Sequence, residues 1–156
     1  MERQLAGERD FALWSARREA FAAYLSTIEH LRVTFNHAVG LAEAHYVEGR
    51  NTAARGQEAK EALDQQHKDL LLAQATLHLT VASSEVDEVE ALTEMATGLI
   101  SGYDDFVEHL GGGGHCDENA LFARERALKE QVAAWAQRAG HQLQGEAVRS
   151  VRPPAS

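Results

Sequence analysis

The sequence predicts an all-α fold: an antiparallel bundle of about four helices with a long first helix. Three observations carry that reading. Apolar residues recur at three- and four-residue spacing in four segments, and no segment shows sustained alternation. Proline occurs only at Pro153 and Pro154 of the 156 residues, so nothing breaks a helix earlier. Ala, Leu, Glu, Gln and Arg dominate, and these residues favour helix. The length suits one domain, expected over 1–140, with a disordered tail over 141–156.

The first helix is expected from about Arg3 to Glu48. Trp14, Phe21, Ile28, Phe35 and Ala42 fall at seven-residue intervals. Tyr24, Leu25, Leu31, Ala38, Val39 and Tyr46 fill positions three or four further on, an apolar stripe in heptad register as in a coiled coil or bundle. At ~1.5 Å per residue such a helix spans ~69 Å. Gly49–Gly56 reads as a turn, with Thr52 placed to cap the second helix. That helix runs to about Val81, with Ala59, Leu63, Leu70, Ala73 and Leu77 on one face and Gln66 as its polar member. Leu71, Leu72 and Leu79 widen the face.

Ser84, followed by Glu85 and Asp87, resembles the N-cap of a third helix, because a side-chain oxygen accepts from a free backbone N–H and acids favour the positive end of the helix dipole. Its stripe is Val89, Leu92, Ala96, Leu99, Tyr103, Phe106 and Leu110. Gly98 and Gly102, four apart, read as a place where a neighbouring helix approaches closely. Gly111–Gly114 ends the helix, with Gly111 expected in the left-handed conformation. Asp117 is expected to cap a fourth helix that ends near Ala139, with Leu121, Leu128, Val132 and Trp135 buried and Gly140 as terminator. Short connections make neighbours antiparallel. A first helix much longer than the second leaves two arrangements open. In one, the fourth helix covers the excess. In the other, the N-terminal part projects and exposes Phe11 and Trp14, and an exposed apolar patch of that kind marks association.

The formal net charge is −9, which argues against direct nucleic-acid binding through phosphates. No Lys or Arg occurs from Asp69 to Ala123, a window holding 11 acidic residues. The third helix therefore carries an acidic face of Glu85, Asp87, Glu88, Glu90 and Glu94, either a solvated surface or one for a basic partner. No apolar run is long enough to span a membrane, and the opening MERQLAGERDF lacks the apolar core of a secretory signal. Cys116 is the single cysteine, in keeping with a reducing compartment. The expected location is cytoplasmic.

No motif for nucleotide binding or serine nucleophiles occurs. The cluster of metal-ligand types is His109, His115 and Cys116, with Asp117 and Glu118, around the glycine run. A glycine-rich tether fixes ligands poorly, and the two acids have sufficient employment at a helix start. Asp64-x-x-His67 is the nearest approach to a di-metal bundle motif, in one copy. His30 and His37 read as surface residues. Cys116 lies just before a helix N-terminus, which favours a thiolate. No catalytic residue, resident metal or cofactor is assigned.

The stretch Trp14-Ser15-Ala16-Arg17-Arg18-Glu19-Ala20-Phe21-Ala22-Ala23-Tyr24-Leu25 resembles one carried by a loose group of uncharacterised small helical proteins of high-GC Gram-positive bacteria. In that group an Arg-Arg pair precedes spaced aromatic and aliphatic residues early in a long first helix. Two or three amphipathic helices and a polar tail follow. The use of 12 Arg against 3 Lys, with 27 Ala, is similar to theirs. Many members begin with a membrane anchor, which has no counterpart in this sequence. The resemblance implies a helical fold and no activity.

The expected function is a non-enzymatic helical interaction module that binds a protein partner or itself, as a homodimer through Phe11, Trp14 and Phe21 of helix one. Two alternatives stand beside it. One is an acidic, antitoxin-like inhibitor whose third helix occupies a basic site on a nucleic-acid-binding protein. The other is a small metal- or thiol-dependent enzyme built on the 109–118 loop.

Overall fold

The four periodic segments fold as four α-helices: α1 (Glu2–Tyr46), α2 (Ala53–His78), α3 (Ser83–Gly111) and α4 (Glu118–Val151). The computed structural model describes residues 1–151. Among the described residues there is no strand, and no helix is long and apolar enough to cross a membrane.

The ends follow local chemistry, with three departures from expectation. Asp117 precedes α4 and accepts from the Asn119 amide at 3.0 Å, as a capping carboxylate should. Thr52 sits at the N-cap of α2 but caps nothing with its side chain. Its hydroxyl instead donates to the Leu41 carbonyl at 2.9 Å and ties the α1–α2 turn to α1. The N-cap of α3 is Ala82 rather than Ser84, and the Glu85 carboxylate accepts from the Ala82 amide at 3.2 Å. Glu85 supplies from inside the helix what a serine would supply from its end. The left-handed residue after α3 is Gly113, with φ of 78°, rather than Gly111, which is still helical.

The larger correction concerns the chain after Ala139. The helix does not stop at Gly140, and the disordered tail expected over 141–156 is helical as far as Val151. Each of Gly140 and Gly145 costs about 1 kcal/mol against alanine within a helix. Contacts beyond them offset that cost. The Trp14 indole donates to the Leu143 carbonyl at 3.1 Å, and Arg17 pairs with Glu146 at 2.5 Å. Residues 152–156 of the expected tail lie outside the described residues.

Side-chain pairs fix an up-down-up-down arrangement. Arg32 with Glu125, Phe21 with Trp135 and Trp14 with Leu143 run α1 and α4 antiparallel. Lys60 with Asp104 and His67 with Thr97 do the same for α2 and α3. Arg17 with Glu85 and Tyr24 with Thr93 make α1 and α3 parallel diagonals. Gly102 admits α4, since a Cβ there would lie 2.9 Å from Leu121 Cδ2, whereas Gly98 meets no neighbour. Only one of the paired glycines is therefore a contact point.

The core takes Tyr24, Ile28, Leu31, Phe35, Ala38, Val39 and Ala42 from α1, on the predicted stripe. Ala59, Leu63, Leu70 and Leu77 come from α2, Val89 to Phe106 at helical spacing from α3, and Leu121, Leu128, Val132 and Trp135 from α4. Leu71 and Leu72 of α2 and Leu79 just after it stay exposed, so that helix buries one narrow stripe. Gln66 is half-buried in the stripe, with its Oε1 shut from solvent and unpartnered.

Two polar devices lie inside this core. The Tyr24 and Thr93 hydroxyls are 2.8 Å apart, and both reach the Val89 carbonyl. Arg32 and Glu125 form a buried pair, Nε to Oε1 at 2.9 Å and Nη2 to Oε1 at 2.8 Å, and Arg32 also reaches Glu29. Removing one partner of a buried pair strands the other charge. Glu125→Gln is expected to cost about 3 kcal/mol, at the low end for such pairs because Glu29 remains. Replacing both, as Arg32→Met with Glu125→Leu, is expected to restore stability to within about 1 kcal/mol. Urea midpoints of the variants check both outcomes.

Burial pushes the Tyr24 phenol up to about 12 from 10.0, against a smaller opposing effect of its hydrogen bond to Thr93. The unfolded chain therefore releases this proton near pH 10 and the folded chain near 12. The associated stability is fully present below pH 10 and is lost as pH rises through 12. Denaturant melts across that window should show the fall. Tyr24→Phe should remove most of the slope, leaving the contribution of Tyr103, whose phenol is also raised, first by burial.

Candidate functional site

Two features have the shape of sites, at opposite ends of the bundle. The first follows from helix length. At ~1.5 Å per residue, α1 outruns α2 by almost 30 Å. The α2–α3 turn closes the four-helix section at the level of Arg17, which pairs with Glu85 at 2.7 Å and with Glu146. Beyond it only α4 follows α1. The molecule narrows there to a two-helix projection, its last core contact an apolar seam under Arg17 with room for about one water, about 20 Å³.

The residues expected to self-associate are divided by this geometry. Phe21 packs on Trp135 at 4.7 Å between ring centres, inside the molecule. Trp14 is half-buried, holds Leu143 and carries Arg18 over its ring at 5.6 Å. Helix four thus covers the part of α1 that contains both. Phe11, against Trp14 at 5.9 Å, stays 62% exposed. Leu13 and Leu79, which sequence reasoning did not select as contact residues, are 69% and 87% exposed. They share an open cleft of about 450 Å³ with Asp10, Trp14, Arg17, Glu146 and Arg149. This is the inner face of the α1–α4 pair, which α2 and α3 are too short to cover.

The second feature lies where α1 and α3 end and α2 begins. A cleft of about 450 Å³ is lined by Leu41, Ala42, His45, Tyr46, Gln57, Lys60, Tyr103, Asp104, Val107 and Glu108, among others. Lys60 Nζ sits 2.6 Å from Asp104, 2.9 Å from Asp64 and 5.9 Å above the Tyr103 ring. Burial alone would lower the Lys60 ammonium, but hydrogen bonds to Asp104 and Asp64 outweigh it and hold the group above its usual range. Burial raises the Tyr103 phenol, with a partial offset from Lys60. A lysine held charged is no nucleophile, and a phenol held neutral is no base. Nearby, Glu43 hydrogen-bonds Glu118, which raises the Glu43 carboxyl above its ordinary value.

The 109–118 loop does not gather its ligand types. Among the described residues no three His, Cys, Asp or Glu side chains lie together as a metal site. His109 turns back over Gly114, so close that a Cβ there would sit 2.5 Å from its ring. Cys116 is exposed, and Asp117 is occupied at the start of α4. His67 bonds Thr97 and Asp64 bonds Lys60, so the Asp64-x-x-His67 pair is split. The acidic face of α3 is divided too. Glu85 pairs with Arg17 and Glu88 pairs with Arg138 at the surface, while Asp87, Glu90 and Glu94 stay exposed.

The cleft around Lys60 was invisible to spacing arguments because its residues come from three helices. The one available signal was Lys60 and Asp64 at helical spacing. No family model matches the chain, and neither a curated protein nor a solved structure matches it.

The indole bond from Trp14 is what ties the far end of α4 to α1. Trp14→Phe keeps the ring and loses the donor, worth about 1 kcal/mol. Hydrogen exchange of amides 141–148 is expected to quicken about fivefold, with amides 121–135 unchanged.

Proposed function

We propose that this protein is a helical interaction module that pairs with a second copy of itself through the inner face of the two-helix projection. The observation that carries this reading is the open cleft with Leu13 and Leu79 exposed on it, over a helix pair lacking the two partners it has elsewhere. Two physical arguments support it, exposed surface and charge. The chain exposes 10087 Å². A compact chain of 17.1 kDa exposes about 7,800 Å². The excess of about 2,300 Å², spread over the elongated molecule, leaves room for the ~800 Å² that each partner of a standard interface contributes.

Charge points to a second copy. Most of this −9 chain repels its own kind. The projection does not: residues 1–18 hold four arginines and three acids. Beside the internal Arg17–Glu146 pair, its cleft presents Asp10 and Arg149, one charge of each sign, a set complementary to itself under two-fold symmetry. The partner's projection would stand where α2 and α3 stop, completing a four-helix section from two chains.

Native mass spectrometry and light scattering between 1 and 100 µM test the reading. The expected result is a dimer. Leu13→Ser with Leu79→Ser should weaken it at least a hundredfold with helix content unchanged, since both side chains are exposed. Phe11→Ser should leave the dimer in place, because Phe11 is about 200° from Leu13 around the helix. A monomer at 100 µM, or a dimer indifferent to the double variant, would sink the proposal.

A further inference from the structure

The cleft at the other end of the bundle has no part in self-association, and its chemistry is specific. We propose that it binds a small organic cation, an alkylammonium, seated against the Tyr103 and Tyr46 rings and held by Glu108 and Asp104.

The cavity volume of about 450 Å³ falls within the ~300–1,000 Å³ of small-molecule sites. Tyr103 is 5% exposed and lines the cleft among Lys60, Asp104 and Tyr46. Its ring face carries Lys60 at 5.9 Å, and the rest of the side chain borders the open cleft. Tyr46 and His45 form a second aromatic wall, their rings edge-on at 4.7 Å. Leu41, Ala42 and Val107 supply apolar surface for methylenes.

The protein already uses this chemistry internally. Lys60 places its own ammonium on the Tyr103 ring between two carboxylates, the arrangement by which aromatic faces and acids hold cations. Glu108 faces the same cleft and forms no ion pair among the described residues. The sign of the site follows from magnitudes. Two carboxylates line the cleft, Asp104 and Glu108, against the one ammonium of Lys60, which Asp64 also pairs from outside the lining. The N-terminus of α2 adds the equivalent of roughly half a positive charge, which leaves the cleft negative. An anion would meet Glu108 and Asp104 with no free cation to hold it.

The experiment is a titration of the isotopically labelled full chain, followed by amide resonances, at constant ionic strength. The probes are putrescine, tetramethylammonium and, as an anionic control, acetate. The expected result is saturable shifts with either cation, confined to amides of residues 41–60 and 103–108, and none with acetate. Glu108→Gln, at an exposed position that leaves the core intact, should weaken binding at least fivefold. Glu94→Gln, on the outer acidic face of the same helix, should not change it. Absence of saturation, shifts spread over the acidic surface, equal affinity in Glu108→Gln, or saturation by acetate would each overturn the proposal.

Discussion

The seam between α1 and α4 is the constraint on which the rest of the molecule depends. Trp135 lies at its centre, packed on Phe21 at 4.7 Å and edge-on to Tyr24 at 5.3 Å. An aromatic trio of this kind, two rings buried and Phe21 partly so, contributes both area and orientation. On one side of it the buried Arg32–Glu125 pair sets the register within the four-helix section. On the other side Trp14 and Arg17 carry the same register past the point where α2 and α3 end. A slip of one turn along this seam would strand Glu125 and Arg32 in apolar surroundings, so the ion pair selects one alignment among several that the apolar stripe alone would tolerate.

From that alignment the two ends acquire different characters. Toward the projection, two helices must do what four do elsewhere, and one face of the pair is left without a partner. Toward the other end, α1 and α3 finish beside the start of α2. Three helix termini meet there, and the space between their side chains becomes a cleft. The ion pairs of Glu85 and Glu88 show how the acidic third helix contributes to the same scheme. Part of its charge is structural, binding α1 and α4, and only the outer part faces solvent.

The fold class, the number of helices and most of the core were legible in the residues. Ile28, Phe35 and Ala42 are buried at their heptad positions, as are Leu63, Leu70 and Leu77 of α2. Helical periodicity reports burial directly, because side chains three and four apart share a face. What failed was local punctuation. Gly140 has the composition of a stop, yet the helix continues, since tertiary contacts from Trp14 and Arg17 outweigh a propensity cost of about 1 kcal/mol. Ser84 has the chemistry of a cap, yet Glu85 does that work from the first turn.

The sequence by itself determined four helices, their amphipathic faces, a first helix longer than its neighbours and an acidity concentrated in the third. These depend on residues close together in the chain, where spacing and composition act. Tertiary structure alone decided which helix accompanies the excess length of α1, and therefore that Trp14 and Phe21 are partly covered by α4 while Leu13 and Leu79 stay exposed on the open cleft. It alone brought Lys60, Tyr103 and Glu108 to one cleft and kept His109 and Cys116 from forming a cluster. Such outcomes depend on contacts between residues distant in sequence, whose energies no local pattern encodes.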